Sequence, residues 1–226
     1  MKILHKYLAI AAAVAGLAQT VQAVPELRLF DGTTTITISD NFIGDFQPAA
    51  GQLVFIGSIG NWTLNVHTGT TYPVIGSLTN PALDLSFNAT SMNAGGTLWV
   101  SFAADGFGPT SGTAIASIGG TVASGGSVTY NTYGGTDNMN FSTVNPLTMQ
   151  GPFNTIAFSG SVTGGAVNNA GPYALTQVVA ITHGAGTRQT TGNALLTVPE
   201  SGTSILLLGA GLTALGLLAQ FRRRSV

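Results

Sequence analysis

The chain has 226 residues and no cysteine. That removes disulfide staples and thiolate metal ligands, so stability has to come from core burial and backbone pairing. Charge is nearly as scarce, at 7% of residues. Between residues 24 and 197 only Arg28 and Arg188 are basic, against Glu26, Asp31, Asp40, Asp45, Asp84, Asp105 and Asp137. The formal charge of −1 hides this acidic body, because the remaining cations sit at the two ends. A body so poor in Lys and Arg cannot neutralise phosphates, which excludes nucleic acid as a partner. Catalytic signatures are missing too. No serine stands in a Gly-x-Ser-x-Gly elbow, and no His/Asp/Glu group has metal-ligand spacing, so neither metal nor cofactor is expected. "GAGLTA" at Gly209 imitates a dinucleotide fingerprint but follows no strand.

The two ends are built differently from the body. The chain opens with Lys2 and Lys6, an apolar run from Tyr7 to Ala18, and Val21-Gln22-Ala23. This is the order of a secretory signal peptide over residues 1–23, with signal peptidase cutting after Ala23. The apolar run is too short for a membrane span, which needs about twenty residues. At the other end, residues 202–221 carry no charge, and at about 1.5 Å per helical residue they match a hydrocarbon core of roughly 30 Å. A transmembrane helix is expected there. Arg222, Arg223 and Arg224 follow within the basic tail 222–226, and such a cluster stays cytoplasmic, which leaves the body on the far side of the membrane.

Val198-Pro199-Glu200-Ser201, then a Leu/Gly/Ala-rich span and an arginine cluster, resembles the PEP-CTERM sorting signal. Ser201 stands where the commonest form has a second proline, so the motif is intermediate with the related VPDSG variant. The resemblance covers residues 198–226. It implies a Gram-negative host, transient anchoring in the inner membrane, and cleavage near Pro199-Glu200 by an exosortase. The body would then reach the cell surface or an exopolysaccharide matrix. Pro199 fixes its own φ and biases Val198 to an extended conformation, a form suited to a protease substrate.

Residues 24–197 have the length of one sandwich domain. Period-two alternation punctuated by Gly, Asn and Pro recurs throughout. In "NWTLNVHTG" Trp62, Leu64 and Val66 point one way, and in "LDLSFNAT" Leu83, Leu85 and Phe87 alternate with Asp84, Ser86 and Asn88. "LRLF", "TTITIS", "LVFIG", "TLWVSFA", "TAIASI", "SVTYNTY", "IAFSGSV", "ALTQVVAITH" and "NALLTV" read as further strands. With no amphipathic helix before residue 202, the pattern predicts an all-β, antiparallel sandwich of jelly-roll or other Greek-key type. A β-solenoid is the competitor because glycine is abundant, but no fixed period appears. "SIGGTVASGGSVTYNTYGGTDN" is the least apolar stretch and is where mobile loops between strands are expected. The body is also similar, through segments such as "FGPTSGTAIASIGGT" and "YALTQVVAITH", to uncharacterised exported proteins bearing this tail, and no activity comes with that similarity.

Candidate residues are few. His67 and His183 each stand alone in a strand pattern, as partly exposed histidines. The aspartates neighbour Gly or Asn in "FDGT", "ISDNF", "AADGFG" and "GGTDN", which is turn chemistry, with structural Ca²⁺ the lesser alternative. Burying Leu98, Val100 and Phe102 turns Trp99 to the opposite face with Ser101, while Tyr130 and Tyr133 sit in polar "TYNTYGG". Exposed flat rings can stack on sugars, so these three are the candidate carbohydrate contacts, with exopolysaccharide as ligand. The resulting expectation is a non-enzymatic surface or matrix protein with a structural or adhesive role. A carbohydrate-binding module and a matrix-modifying enzyme are the alternatives.

Overall fold

The computed structural model describes residues 23–200. Residues 1–22 and 201–226, which hold most of the expected signal peptide and the whole expected span, lie outside them. Sheet 1 contains β1 (Pro25–Phe30), β2 (Thr35–Ser39), β6 (Gly96–Phe107), β8 (Ser127–Gly135), β9 (Asn145–Phe153) and β11 (Tyr173–His183), in the order β2-β1-β6-β11-β8-β9. Sheet 2 contains β3 (Gln52–Ile59), β4 (Trp62–Thr70), β5 (Ala82–Ser91), β7 (Thr110–Thr121), β10 (Ala157–Asn169) and β12 (Arg188–Thr197), in the order β10-β7-β12-β5-β4-β3. Every neighbouring pair is antiparallel. From β5 onward each connection except β8 to β9 changes sheets. That interleaving is the strand order of a jelly roll, flanked here by β1–β2 on one sheet and β3–β4 on the other.

Alternation explains which face goes inward. Leu98, Val100 and Phe102 of β6 are buried while Trp99 and Ser101 are only half-buried, and Leu83, Leu85 and Phe87 of β5 are buried between more accessible Asp84, Ser86 and Asn88. Leu27, Leu29, Val100 and Val179 of sheet 1 belong to one apolar cluster with Leu64, Leu83, Leu85 and Leu196 of sheet 2. Each such side chain contributes about 1.5–3 kcal/mol on full burial, which is how a chain without disulfides holds two sheets together. Two glycines make room for rings. A β-carbon at Gly69 would collide with the Phe102 ring, and one at Gly192 with the Phe87 ring.

The stretch expected to hold loops between strands is strand over most of its length. β7 runs through Gly119-Gly120 and β8 through Tyr133, joined by a short turn at residues 122–126. Gly120 pairs with Gly192 of β12, whose carbonyl neighbour at Thr191 leaves no room for a β-carbon, so a tight strand approach selects glycine where composition alone reads as loop. β9 escapes the sequence patterns because it carries Pro146 and Pro152. It is an edge strand, where a missing ladder N–H is tolerated.

Both described termini leave from one end of the sandwich. Asp40 N donates to Pro25 O, Thr71 N to Gly51 O, Gly108 N to Leu78 O, and Val198 N to Pro81 O. These bonds gather Val24, the loops 40–51, 71–81, 106–109 and 136–144, and residues 198–200 into one group, the terminal end. The turns at 31–34, 60–61, 92–95, 122–126, 154–156 and 184–187 form the far end.

Candidate functional site

The outer face of sheet 1 carries the Trp99 side chain. Register places Thr35, Phe30, Trp99, Ala180 and Thr129 in one row across β2, β1, β6, β11 and β8. The rings of Phe30 and Trp99 lie 5.4 Å apart at 33°. Phe30 thus backs the indole on one flank, while Ala180 on the other ends at its β-carbon, leaving a low ledge. The adjoining positions are mostly polar: Arg28, Ser101, Val178 and Asn131 form the next row, and Thr97 and Thr182 exchange a hydroxyl hydrogen bond at 2.9 Å. A flat, half-buried aromatic pair among neutral hydroxyls is chemically suited to a sugar ring's C–H face and its hydroxyl rim.

Toward the terminal end the same face is covered. The row Glu26, Ala103, Thr176 and Tyr133 is outward by alternation, yet Ala103 and Thr176 are fully buried. The loop between β8 and β9 returns across them to β1. Asn140 Nδ2 donates to Val24 O and Glu26 Oε2, Asn138 Oδ1 accepts from Gly106 N, and the Arg28 guanidinium sits 3.8 Å from the Phe141 ring centroid. Phe141 adopts φ 63°, an unfavourable region for an aromatic residue. The cation–π contact, with Arg28 on one side, offsets part of that cost.

Of the three candidate contacts, the structure brings only Trp99 to the ledge. Tyr133 is half-buried at the loop-covered end of the face. Tyr130 is a correction: it points inward, is 0% exposed, and donates its hydroxyl to Gln177 Oε1 at 2.9 Å. Burial raises its phenol pKa far above the ordinary value. The polar "TYNTYGG" composition misleads there because tyrosine stands on both faces of β8, and only one of the two is outward. Phe30 and Phe141 were not singled out in the sequence. Phe30 follows Leu27 and Leu29 in alternation and was readable as outward, whereas nothing local announces that Phe141 crosses the sheet.

His183 is a second correction. It is 3% exposed, with Nδ1 2.8 Å from Ser91 Oγ, Nε2 2.7 Å from Thr190 Oγ1, and its ring 4.8 Å from Trp62. Desolvation, then the nearby Arg188 charge, lowers its pKa. The Ser–His contact is not a charge relay, since Ser91 is fully buried and the second ring nitrogen faces a threonine rather than a carboxylate. The aspartates brace turns. Asp31 accepts from Thr33 N and Thr34 N, Asp45 from Asn41 N, Gln47 N and Val54 N, Asp40 from Gly51 N, and Asp137 from Met139 N. Among the described residues no three His, Asp or Glu side chains gather as metal ligands.

Ala23 is buried and Val24 N donates to Asp105 Oδ1 at 3.1 Å. Val198 is 0% exposed, Pro199 and Glu200 are exposed, and Glu200 forms an isolated antiparallel bridge with Gly112. Ser201 and Arg222 to Arg224 lie outside the described residues. No helix among the described residues is long and apolar enough to cross a membrane. A groove of about 300 Å³ between β9 and β10 is lined by Thr136, Asn145, Leu147, Asn168 and Asn169.

No family model matches the chain, and no curated protein matches it. Among solved structures it is similar to the C-terminal CBM6 of LamC, a laminarinase from Zobellia galactanivorans, with 17% identity over 48% of this chain and 78% of that one, at a TM-score of 0.28. It is also similar to a carbohydrate-binding module from Cellvibrio mixtus lichenase 5A, with 14% identity over 67% and 90% of the two chains and a TM-score of 0.27. A third similarity is to infectious bursal disease virus, strain Gx, with 12% identity over 80% of this chain, about half the length of that one, and a TM-score of 0.33.

Proposed function

We propose that this is an exported, non-enzymatic carbohydrate-binding protein that serves an adhesive role in an exopolysaccharide matrix. The observation that carries the reading is the Phe30–Trp99 ledge, an aromatic pair set among hydroxyls on an otherwise flat sheet face. Hydroxyls border the ledge, and the charge in the adjoining row, Arg28, is held over the Phe141 ring, which suits a polysaccharide better than a charged metabolite. The aspartates support the non-enzymatic part: Asp31, Asp40, Asp45 and Asp137 are engaged in bracing turns, Asp105 accepts from Val24 N, and Asp84 accepts from Asn193 Nδ2. Glycoside hydrolysis requires two carboxyls free to reach the substrate.

Export and sorting complete the reading. Signal peptidase would release the chain after Ala23, residues 202–221 would hold it in the inner membrane, and an exosortase would cut near Pro199-Glu200 of the PEP-CTERM-like signal, freeing the body for the envelope surface. Retention of the full chain, in detergent, on the host's own polysaccharide tests binding. Trp99→Ala should lose retention at least about fivefold, since a stacked sugar is worth about 1–3 kcal/mol by analogy with base stacking on aromatics. Equal retention of wild type and variant, or no retention of either, would overturn the carbohydrate reading.

A further inference from the structure

The apolar side chains left on the surface are unevenly placed. Phe42, Ile43 and Phe46 are 70%, 102% and 65% exposed, and Val74, Met139 and Val144 are also exposed. All six stand on the loops of the terminal end, whereas Met92 and Ile156 are the exposed large apolar residues on the far-end turns among the described residues. The loop bearing Phe42, Ile43 and Phe46 is stiff. Asp45 Oδ2 accepts from Asn41 N, its Oδ1 from Gln47 N and Val54 N, Phe46 N donates to Val54 O, and Asp40 Oδ2 accepts from Gly51 N. The apolar side chains are therefore presented to solvent by a braced backbone, not left there by a loose one.

The chain's own course says what lies opposite. Val198 is anchored by its amide to Pro81 O and Glu200 is bridged to Gly112, so the chain leaves this same end one residue before the uncharged run 202–221 begins. If that run spans a bilayer, as the reading above holds, the membrane surface lies within a few residues' reach of Glu200, at about 3.3 Å per extended residue. We propose that the loops 40–51, 71–81 and 136–144 form a lipid-contacting face, and that Phe42, Ile43 and Phe46 enter the headgroup–acyl boundary while the chain is anchored. The proposal rests on the membrane-span reading of residues 202–221. These loops contain Asp40, Asp45 and Asp137 and no lysine or arginine, so burial of apolar surface drives the contact and a zwitterionic membrane is favoured over an anionic one.

The absence of cysteine allows single labels. Full-length chains carrying Ile43→Cys, Phe46→Cys, Ile156→Cys or Leu212→Cys are each labelled with a polarity-sensitive fluorophore and reconstituted into phosphatidylcholine vesicles. Lipid nitroxides should quench the labels at 43, 46 and 212, iodide should quench the label at 156, and replacing part of the lipid with phosphatidylglycerol should weaken the signal at 43 and 46 only. A label at 43 as open to iodide as the one at 156, with 212 still quenched by lipid, overturns the lipid face and leaves the span intact. A label at 43 shielded from iodide yet untouched by lipid nitroxides means that protein covers the loop, and also overturns it. An unquenched label at 212 overturns the span and the face together.

Discussion

Replacing His183 by Phe tests whether the far end is held by a hydrogen-bonded relay or by ring packing alone. Phe keeps a ring against Trp62 but removes both polar contacts, at 2.8 Å to Ser91 and 2.7 Å to Thr190. Ser91 and Thr190 are fully buried. Thr190 retains the Ala123 N–H at 3.3 Å, so Ser91 bears most of the loss. An orphaned buried hydroxyl costs about 1–3 kcal/mol, and the weakened threonine adds a fraction of that. The full chain in detergent should lose about 2–4 kcal/mol, and for a domain of this size about 2–4 °C per kcal/mol puts the melting drop near 5–15 °C. Ser91→Ala combined with His183→Phe should regain more than half, because an apolar pair leaves nothing unpaired. The pH profile supplies an independent check. Burial holds His183 below its ordinary value of 6.5, so the unfolded chain takes up the proton first. Stability contributed by neutral His183 is present above pH 6.5 and is lost as pH falls below it. The difference in melting temperature between wild type and His183→Phe should shrink over that range. An unchanged melting point for His183→Phe, or a double variant no better than the single, would refute the relay.

Two further changes probe the loop strap and the C-terminal anchor. Arg28→Ala removes the cation over Phe141 and should cost about 0.5–1 kcal/mol, with protease cleavage within residues 136–144 rising in limited digestion; unchanged digestion there would show that Asn138 and Asn140 hold the strap alone. Val198→Asp places a carboxylate at a fully buried site and should destabilise the body by at least about 3 kcal/mol, seen as lost soluble yield of the domain, whereas Glu200→Gln at the exposed bridge should leave yield unchanged.

How far the sequence reaches is visible in single residues. Alternation in "TLWVSF" determines the side of the sheet on which Trp99 stands, because the period of a strand is two and one face must be apolar. It does not determine depth. In "SVTYNTY" Tyr130 and Tyr133 occupy opposite faces, and the inward one is accommodated by Gln177, 47 residues away on β11. His183 shares the parity of Val179 and Ile181, so its inward direction was readable, but its partners Ser91 and Thr190 come from two other strands. The ledge needs Phe30 from β1 and Ala180 from β11 beside Trp99, a neighbourhood that exists only after strand order is set. Edge strand β9 and the glycine pair Gly120/Gly192 were hidden for the same reason: proline at an edge and glycine under close approach are choices of tertiary context, which overrides local propensity.

The ledge and the proposed lipid face lie at opposite ends of the same strands, and this has a functional consequence. Trp99 is eight residues from Phe107 along β6, about 26 Å at the rise of a strand, with Phe107 at the terminal end. A chain anchored through 202–221, with residues 40–51 on the bilayer, would therefore hold its aromatic ledge some 25 Å out, above the headgroups and facing the surroundings. Polysaccharide could be bound before the tail is cut, not only after release. Binding of host polysaccharide to vesicles carrying the uncut chain should then match binding by the cleaved body within about twofold, and Trp99→Ala should weaken both at least about fivefold. Binding by the cleaved body alone would mean that the anchored orientation buries the ledge, which the placement of Trp99 on β6 does not permit if the terminal end faces the membrane.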